Sequence, residues 1–233
     1  MRGGECGMLR CAAALAAICV LLVPLAAEDD ESSIVYHAHA NESAKIALTF
    51  DDGPHPRYTE EILSILEEYG VHATFFVIGQ NVEYYPALIS RIQAGGHEIG
   101  NHTYDHCRLA RQSAEHVREE ILRTEQTLYE LADYRTKLFR PPEGMFSDSV
   151  IEAARALDYR VILWTIDTRD WDHTPPDQIA EQILAQVKAG DIILMHDYIG
   201  YDSPTPEALR IVIPELLARG YHFVGISELI GSN

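Results

Sequence analysis

The chain has 233 residues, 47% of them apolar, and its 36 acidic against 18 basic side chains give a formal charge of -18. That composition suits a packed α/β domain and excludes intrinsic disorder. The acidic surplus leaves no basic face to neutralise phosphates, which excludes nucleic acid as a partner, and it lends no attraction toward an anionic surface.

Residues 1–27 stand apart, with Arg2 and Arg10 ahead of an apolar run from Cys11 to Ala27. This segment reads as a signal peptide cleaved near Ala27, with an uncleaved N-terminal membrane anchor as the alternative. Pro24 interrupts the run, which falls short of the roughly 20 residues that span a bilayer, so cleavage is favoured. Either way the remainder is exported, to be secreted or held at the cell surface. Cys6, Cys11 and Cys19 lie in this leader, so Cys107 is the only thiol of the exported part. An internal disulfide is thereby ruled out there, and the fold must rest on its core and on any metal it binds.

Residues 28–43 are polar and read as a short lead-in to a single domain over 44–233. From there short apolar runs alternate with amphipathic segments. Strands are expected at 46–50, 73–78, 98–101, 137–140, 160–164, 191–195 and 222–226. Helices are expected near 60–69, 85–94, 114–131, 148–157, 175–189 and 206–219. Gly70, Gly95, Gly190 and Gly220 each follow a helical segment, where a left-handed cap belongs. Thr174-Pro175 and Thr205-Pro206 set a capping hydroxyl before a proline at the first helical position. Within 114–131, Val117, Ile121, Thr124, Leu128 and Leu131 share one stripe, while Glu115, Arg118, Glu119 and Arg123 can face water. Seven strand-helix steps with short connections imply parallel strands and right-handed crossovers, hence a closed or nearly closed barrel of the TIM type and of α/β class. An open doubly wound sheet is the alternative, disfavoured because no Gly-rich phosphate loop follows the first strand.

In parallel α/β folds active sites form at the C-terminal ends of strands. Reactive residues collect there: Asp51 and Asp52 after the first strand, His102 and His106 after the third, Arg140 at the end of the fourth, Asp167, Asp170 and Trp171 after the fifth, His196 and Asp197 after the sixth. Adjacent residues leaving a strand point in different directions, so one of Asp51 and Asp52 can bind a metal while the other takes a proton. His102 and His106, four apart, can present both imidazoles to one metal if their loop turns helically. Asp52 completes a set of three ligands, which leaves open positions as a catalytic zinc site requires. His55, His72, His97, His173 and His222 have no such company and read as packing or surface residues.

Thr49-Phe50-Asp51-Asp52-Gly53-Pro54, His102-Thr103-Tyr104-Asp105-His106, Arg140-Pro141-Pro142-Glu143-Gly144, Asp167-Thr168-Arg169-Asp170-Trp171 and Leu194-Met195-His196 resemble, in order, the motifs of polysaccharide deacetylases, the NodB-homology carbohydrate esterases of family four. The resemblance spans residues 46–229. It implies a distorted TIM-like (β/α)7 barrel, one divalent metal ion, zinc first with cobalt or manganese as substitutes, and removal of acetyl groups from amino sugars. By it Asp52, His102 and His106 are the metal ligands and Asp51 is the general base for the attacking water. Arg140 pairs with that base and holds it in place. His196 is the general acid that protonates the departing amine, and Asp170 orients it and favours its protonated form. Trp171 and Leu194 form groove walls, and Asp167 supports the site from behind. Glu143 stands where the family often has tyrosine. The backbone N–H at that position helps bind the oxyanion, so the change spares catalysis, whereas a carboxylate at the groove edge alters recognition of acidic sugars. The implied substrate is an acetylated polysaccharide, peptidoglycan N-acetylglucosamine or N-acetylmuramic acid, with no stable protein partner. An O-acetyl esterase acting on a polysaccharide such as xylan is the rival enzyme. A non-catalytic carbohydrate-binding relic is the rival from another class, and the presence of Asp51, Arg140, Asp170 and His196 speaks against it.

Overall fold

The computed structural model describes residues 34–38, 44–200 and 202–231, so the leader falls outside the described part. In chain order the elements are β1 (Ile34–Val35), β2 (Lys45–Asp51), α1 (Tyr58–Tyr69), β3 (Thr74–Val77), α2 (Gly79–Tyr84), α3 (Pro86–Ala94) and β4 (Glu98–Asn101). Next come α4 (Ala114–Ala132), β5 (Leu138–Phe139), α5 (Asp148–Ala156), β6 (Arg160–Ile162) and β7 (Ile166–Asp167). The chain continues with α6 (Pro176–Gln186), β8 (Ile192–His196), α7 (Thr205–Ala218), β9 (His222–Phe223) and α8 (Ile226–Leu229).

The strands run parallel in the order β1-β6-β5-β4-β3-β2-β8-β7, and β9 pairs with the start of β2. β6 and β7 are two halves of one bent stretch. The first half pairs with β5 and the second with β8, so this stretch carries the sheet from one side of β2 around to the other. The result is a curled parallel sheet, a distorted (β/α)7 barrel. Ile34 and Val35, inside the polar lead-in, add β1 alongside β6.

Alternation along β2 decides what faces where. Leu48 and Phe50 pack outward with Ile62, Ile89 and Val212 of the surrounding helices. Ala47 turns inward with Phe76, Leu138, Ile162 and Ile192 to fill the barrel floor. Each large apolar side chain so buried stabilises the fold by about 1.5–3 kcal/mol. Asp51, in phase with Ala47 and Thr49, therefore opens into the barrel mouth.

Helix ends show where local signals competed with tertiary ones. Gly70 and Gly220 adopt left-handed conformations at φ 64° and 85°, but α3 ends with Gly95 at φ −77° and leaves the left-handed position to Gly96. Thr174 and Thr205 do not cap helices. The Thr174 hydroxyl donates to the Arg169 carbonyl, and the Thr205 hydroxyl donates to Asp170 in the site. On α4 the stripe of Val117, Ile121, Thr124 and Leu128 is buried as its period requires, while Leu131 is exposed. α2 is too short to show a period, and α8 begins where the last strand was expected to continue. Among the described residues no helix is long and apolar enough to cross a membrane.

Candidate metal centre and active site

Arg140 follows β5 and is fully buried. Its Nη1 donates to Asp51 Oδ1 at 2.7 Å and to Thr49 Oγ1 at 2.8 Å, while Nε and Nη2 donate to the carbonyls of Ile162 and Leu163, each at 3.1 Å. The guanidinium lies 4.1 Å from the Phe76 ring centre. Burial pushes its pKa down and the Asp51 carboxylate opposes that, so a permanently charged group is locked beside Asp51.

Asp52 sits at φ 74°, a left-handed conformation that few non-glycine residues adopt, and Asn81 Nδ2 donates to its carbonyl at 2.8 Å. This turn sends its carboxylate away from Arg140 and toward the histidines. Gly53 follows because the Asp197 carboxyl lies where a Cβ would be. Asp197 is itself fully buried, hydrogen-bonded by the Thr59 hydroxyl, and burial raises its pKa to about 7.

His102 leaves β4 with Nδ1 2.7 Å from the Arg140 carbonyl, which makes Nδ1 a donor and turns Nε2 toward the two carboxylates. That Nε2 lies 3.4 Å from Asp52 Oδ1 and 3.7 Å from Asp51 Oδ2, and His106 Nε2 lies 3.1 Å from the same Asp52 oxygen. The helical turn expected between the two histidines is absent. Thr103 and His106 take φ 67° and 60°, and side chains replace helical hydrogen bonds. Asn101 Oδ1 accepts from Thr103 N–H at 2.9 Å, Thr103 Oγ1 from His106 N–H at 3.1 Å, and Glu120 Oε2 from Tyr104 N–H at 3.0 Å.

Asp52 Oδ1 is buried and receives no hydrogen bond, and it groups with one nitrogen of each histidine within 4.8 Å. A buried acceptor left without a donor is costly, and two imidazole nitrogens around it make a donor set that fits a divalent cation. Burial would raise the Asp52 pKa, yet the contacts with His102 and His106 outweigh it and hold the carboxyl well below the usual range. The nearby Asp52 carboxylate raises His106 in turn, against its burial.

His196 ends β8, in register with Asp51. Its Nδ1 lies 2.8 Å from Oδ1 of the fully buried Asp170, whose Oδ2 accepts from the His196 backbone N–H at 2.7 Å and from Thr205 Oγ1 at 2.6 Å. Burial alone would depress the imidazole, but Asp170, with Asp51 and Asp52 behind it, raises its pKa to about 9.

Asp51, Asp52, His102, His106 and His196 line one cavity of 380 Å³ with Trp164, Trp171, Leu194, Asp167 and Glu143. Trp171 is half exposed, and its indole Nε1 donates to Asp167 at 3.2 Å, which sets the ring against the opening. Glu143, at φ 58°, is not a free carboxylate at the groove edge: Arg108 Nε and Nη2 donate to its Oε1 at 2.9 and 2.7 Å. Trp164, Glu120 and Thr205 are parts of the site that the motifs do not mark, and Thr49, inside the first motif, gains a role as a partner of Arg140. Trp164 had one available signal, since it extends the strand that leads to Asp167.

Residues 38–162 match the family described as polysaccharide deacetylase. A peptidoglycan-N-acetylglucosamine deacetylase of Bacillus cereus is 40% identical over 192 residues, covering 82% of this chain and 90% of its own. Among solved structures, the Bc1960 peptidoglycan N-acetylglucosamine deacetylase in complex with 4-naphthalen-1-yl-N-oxidanyl-benzamide superposes with a TM-score of 0.83 at 34% identity, over 87% of this chain and 94% of that one. A family 4 acetyl xylan esterase from Clostridium thermocellum, in complex with a cobalt ion, gives a TM-score of 0.76 at 39% identity, over 80% of this chain and 90% of that one.

Proposed function

Because the chain belongs to the polysaccharide deacetylase family, we propose that it hydrolyses N-acetyl groups from the amino sugars of a polysaccharide, with N-acetylglucosamine or N-acetylmuramic acid units of peptidoglycan as its substrate. The observation that carries this reading is the divided engagement of two adjacent carboxylates. Asp51 is held by Arg140, whereas Asp52 is turned to His102 and His106.

Asp52, His102 and His106 would hold a divalent cation, zinc in our reading with cobalt or manganese as substitutes, which when bound would polarise the acetyl carbonyl and acidify water. Asp51 has Oδ1 fixed by Arg140, which leaves Oδ2 to accept the proton of the attacking water. The Glu143 backbone N–H adds a donor toward the developing oxyanion. His196, with Nδ1–H committed to Asp170, delivers a proton from Nε2 to the leaving nitrogen as the C–N bond breaks. Acetate and a free amine result. Trp171 and Leu194 wall the acetyl group and sugar, and Asp167 steadies Trp171. We further propose export directed by residues 1–27 and catalysis by 44–233.

Asp51 with its partner Arg140 and His196 with its partner Asp170 sit at neighbouring strand ends, which supports turnover over a purely binding role. The same apparatus serves ester cleavage, and the likeness to an acetyl xylan esterase makes O-deacetylation the second reading. Acetate release from N-acetylated peptidoglycan and chitin oligomers, measured beside acetylated xylan, tests the choice. Acetate with stoichiometric free amine is expected, and release from xylan alone would establish the esterase.

A further inference from the structure

A second group of donors lies just beyond the metal-ligand loop. Cys107 directly follows His106, and His116 and Glu120 sit four residues apart on one face of α4. One ligand atom from each of the three lies within 4.8 Å of the others. Cys107 Sγ is 3.8 Å from His116 Nε2. A tetrahedral zinc with bonds of about 2.3 Å to sulfur and about 2.0 Å to nitrogen separates those donors by roughly 3.5 Å, so the pair stands a few tenths of an ångström from ligand spacing.

Glu120 is buried, and its Oε2 accepts the backbone N–H groups of Tyr104 and Asp105 at 3.0 and 3.3 Å, so its carboxylate is already oriented. Glu119 Oε2 lies 4.0 Å from His116 Nδ1, the far ring nitrogen, where metal-bound histidines commonly have a carboxylate behind them. His116 is partly exposed, which gives an ion a way in. None of these residues takes part in the chemistry above.

We propose that Cys107, His116 and Glu120 form a second metal site, selective for a soft divalent cation such as zinc or cadmium. A donor set of sulfur, nitrogen and one oxygen disfavours magnesium and calcium, which demand oxygen ligands. Binding replaces the Cys107 thiol proton with the metal and releases that proton to solvent. The ion ties the segment leaving His106 to the first turns of α4, and so braces the catalytic ligand loop from outside.

Cobalt bound by a thiolate absorbs in the near ultraviolet through sulfur-to-metal charge transfer, whereas a site of histidines and carboxylate does not. The full-length chain carrying Cys6→Ser, Cys11→Ser and Cys19→Ser keeps Cys107 as its one thiol. Titration of this metal-free protein with cobalt, read by absorption and equilibrium dialysis, should show a second bound equivalent together with the charge-transfer band. Cys107→Ser should remove both. His116→Ala, at a partly exposed position, should weaken the second equivalent at least tenfold. Asp52→Ala should lose the other equivalent and keep the band. A parent protein without the band, or a second equivalent that survives Cys107→Ser, overturns the site.

Discussion

Arg140 and Asp51 form a 2.7 Å ion pair with both side chains shut off from solvent. The guanidinium also holds Thr49 and two main-chain carbonyls, so it stitches β2 to the bent β6–β7 stretch as well as fixing Asp51. Removing one partner of a buried pair strands the other charge. Arg140→Met should therefore cost about 3–5 kcal/mol of stability in urea unfolding. Arg140→Lys should recover part of that, since it keeps the charge and loses the fork. Equal unfolding midpoints for Arg140→Met and wild type would show that the pair does not hold the barrel mouth.

The metal assignment makes activity reversible by chelation. Acetate release should fall to background after treatment with a strong chelator and return with zinc, cobalt or manganese. Full turnover in a sample verified as metal-free would remove the cation from the reaction.

His196 must carry its proton to assist the leaving amine. With its pKa raised to about 9, turnover should hold through neutral pH and decline as pH rises through about 9. A raised folded-state pKa also stabilises the fold, fully below the ordinary 6.5 and progressively less as pH climbs through about 9. Asp170→Asn removes a charge-assisted hydrogen bond of about 1.5–3 kcal/mol, so the alkaline limb should move down by roughly one to two pH units. Thr205→Val, which frees Asp170 Oδ2 from a 2.6 Å hydrogen bond, should lower turnover while Thr205→Ser preserves it. An alkaline limb unmoved in Asp170→Asn would assign the acid to another group.

A lone Glu143 carboxylate would repel acidic sugars, but its pairing with exposed Arg108 offsets that charge. Glu143→Gln should leave turnover on a neutral N-acetylglucosamine oligomer within about tenfold, because the backbone N–H remains. It also frees Arg108 at the groove edge. Activity on a carboxylate-bearing glycan relative to the neutral one should rise severalfold at low salt and less at high salt. Arg108→Gln should shift the same ratio the other way. A hundredfold loss on the neutral oligomer in Glu143→Gln would place the carboxylate in the chemistry.

Strand mouths could be read from the sequence because each reactive residue ends a short apolar run, and parallel topology gathers such ends on one face. Asp51, Asp52, His102, His106, Arg140, Asp170 and His196 were visible in this way. Thr205 was hidden because its local context, a hydroxyl before proline, is that of a helix start, while its partner Asp170 is 35 residues away. Glu120 was hidden because a carboxylate on an amphipathic helix ordinarily faces water, and only the folded chain shows two backbone N–H groups awaiting it. The loop between the histidines took its shape from such acceptors rather than from helical spacing. The strand expected at 160–164 covers β6 but stops short of β7, because a bend between two pairing partners leaves no mark on hydropathy.

The most direct test of the division between Asp51 and Asp52 is metal content and turnover measured together on Asp51→Asn and Asp52→Ala. Asp51→Asn should bind metal as wild type does and lose on the order of 10²-fold or more in turnover. Asp52→Ala should fail to retain the metal at the catalytic site. An Asp51→Asn protein emptied of that metal, beside an Asp52→Ala protein that keeps it, would reverse the two roles.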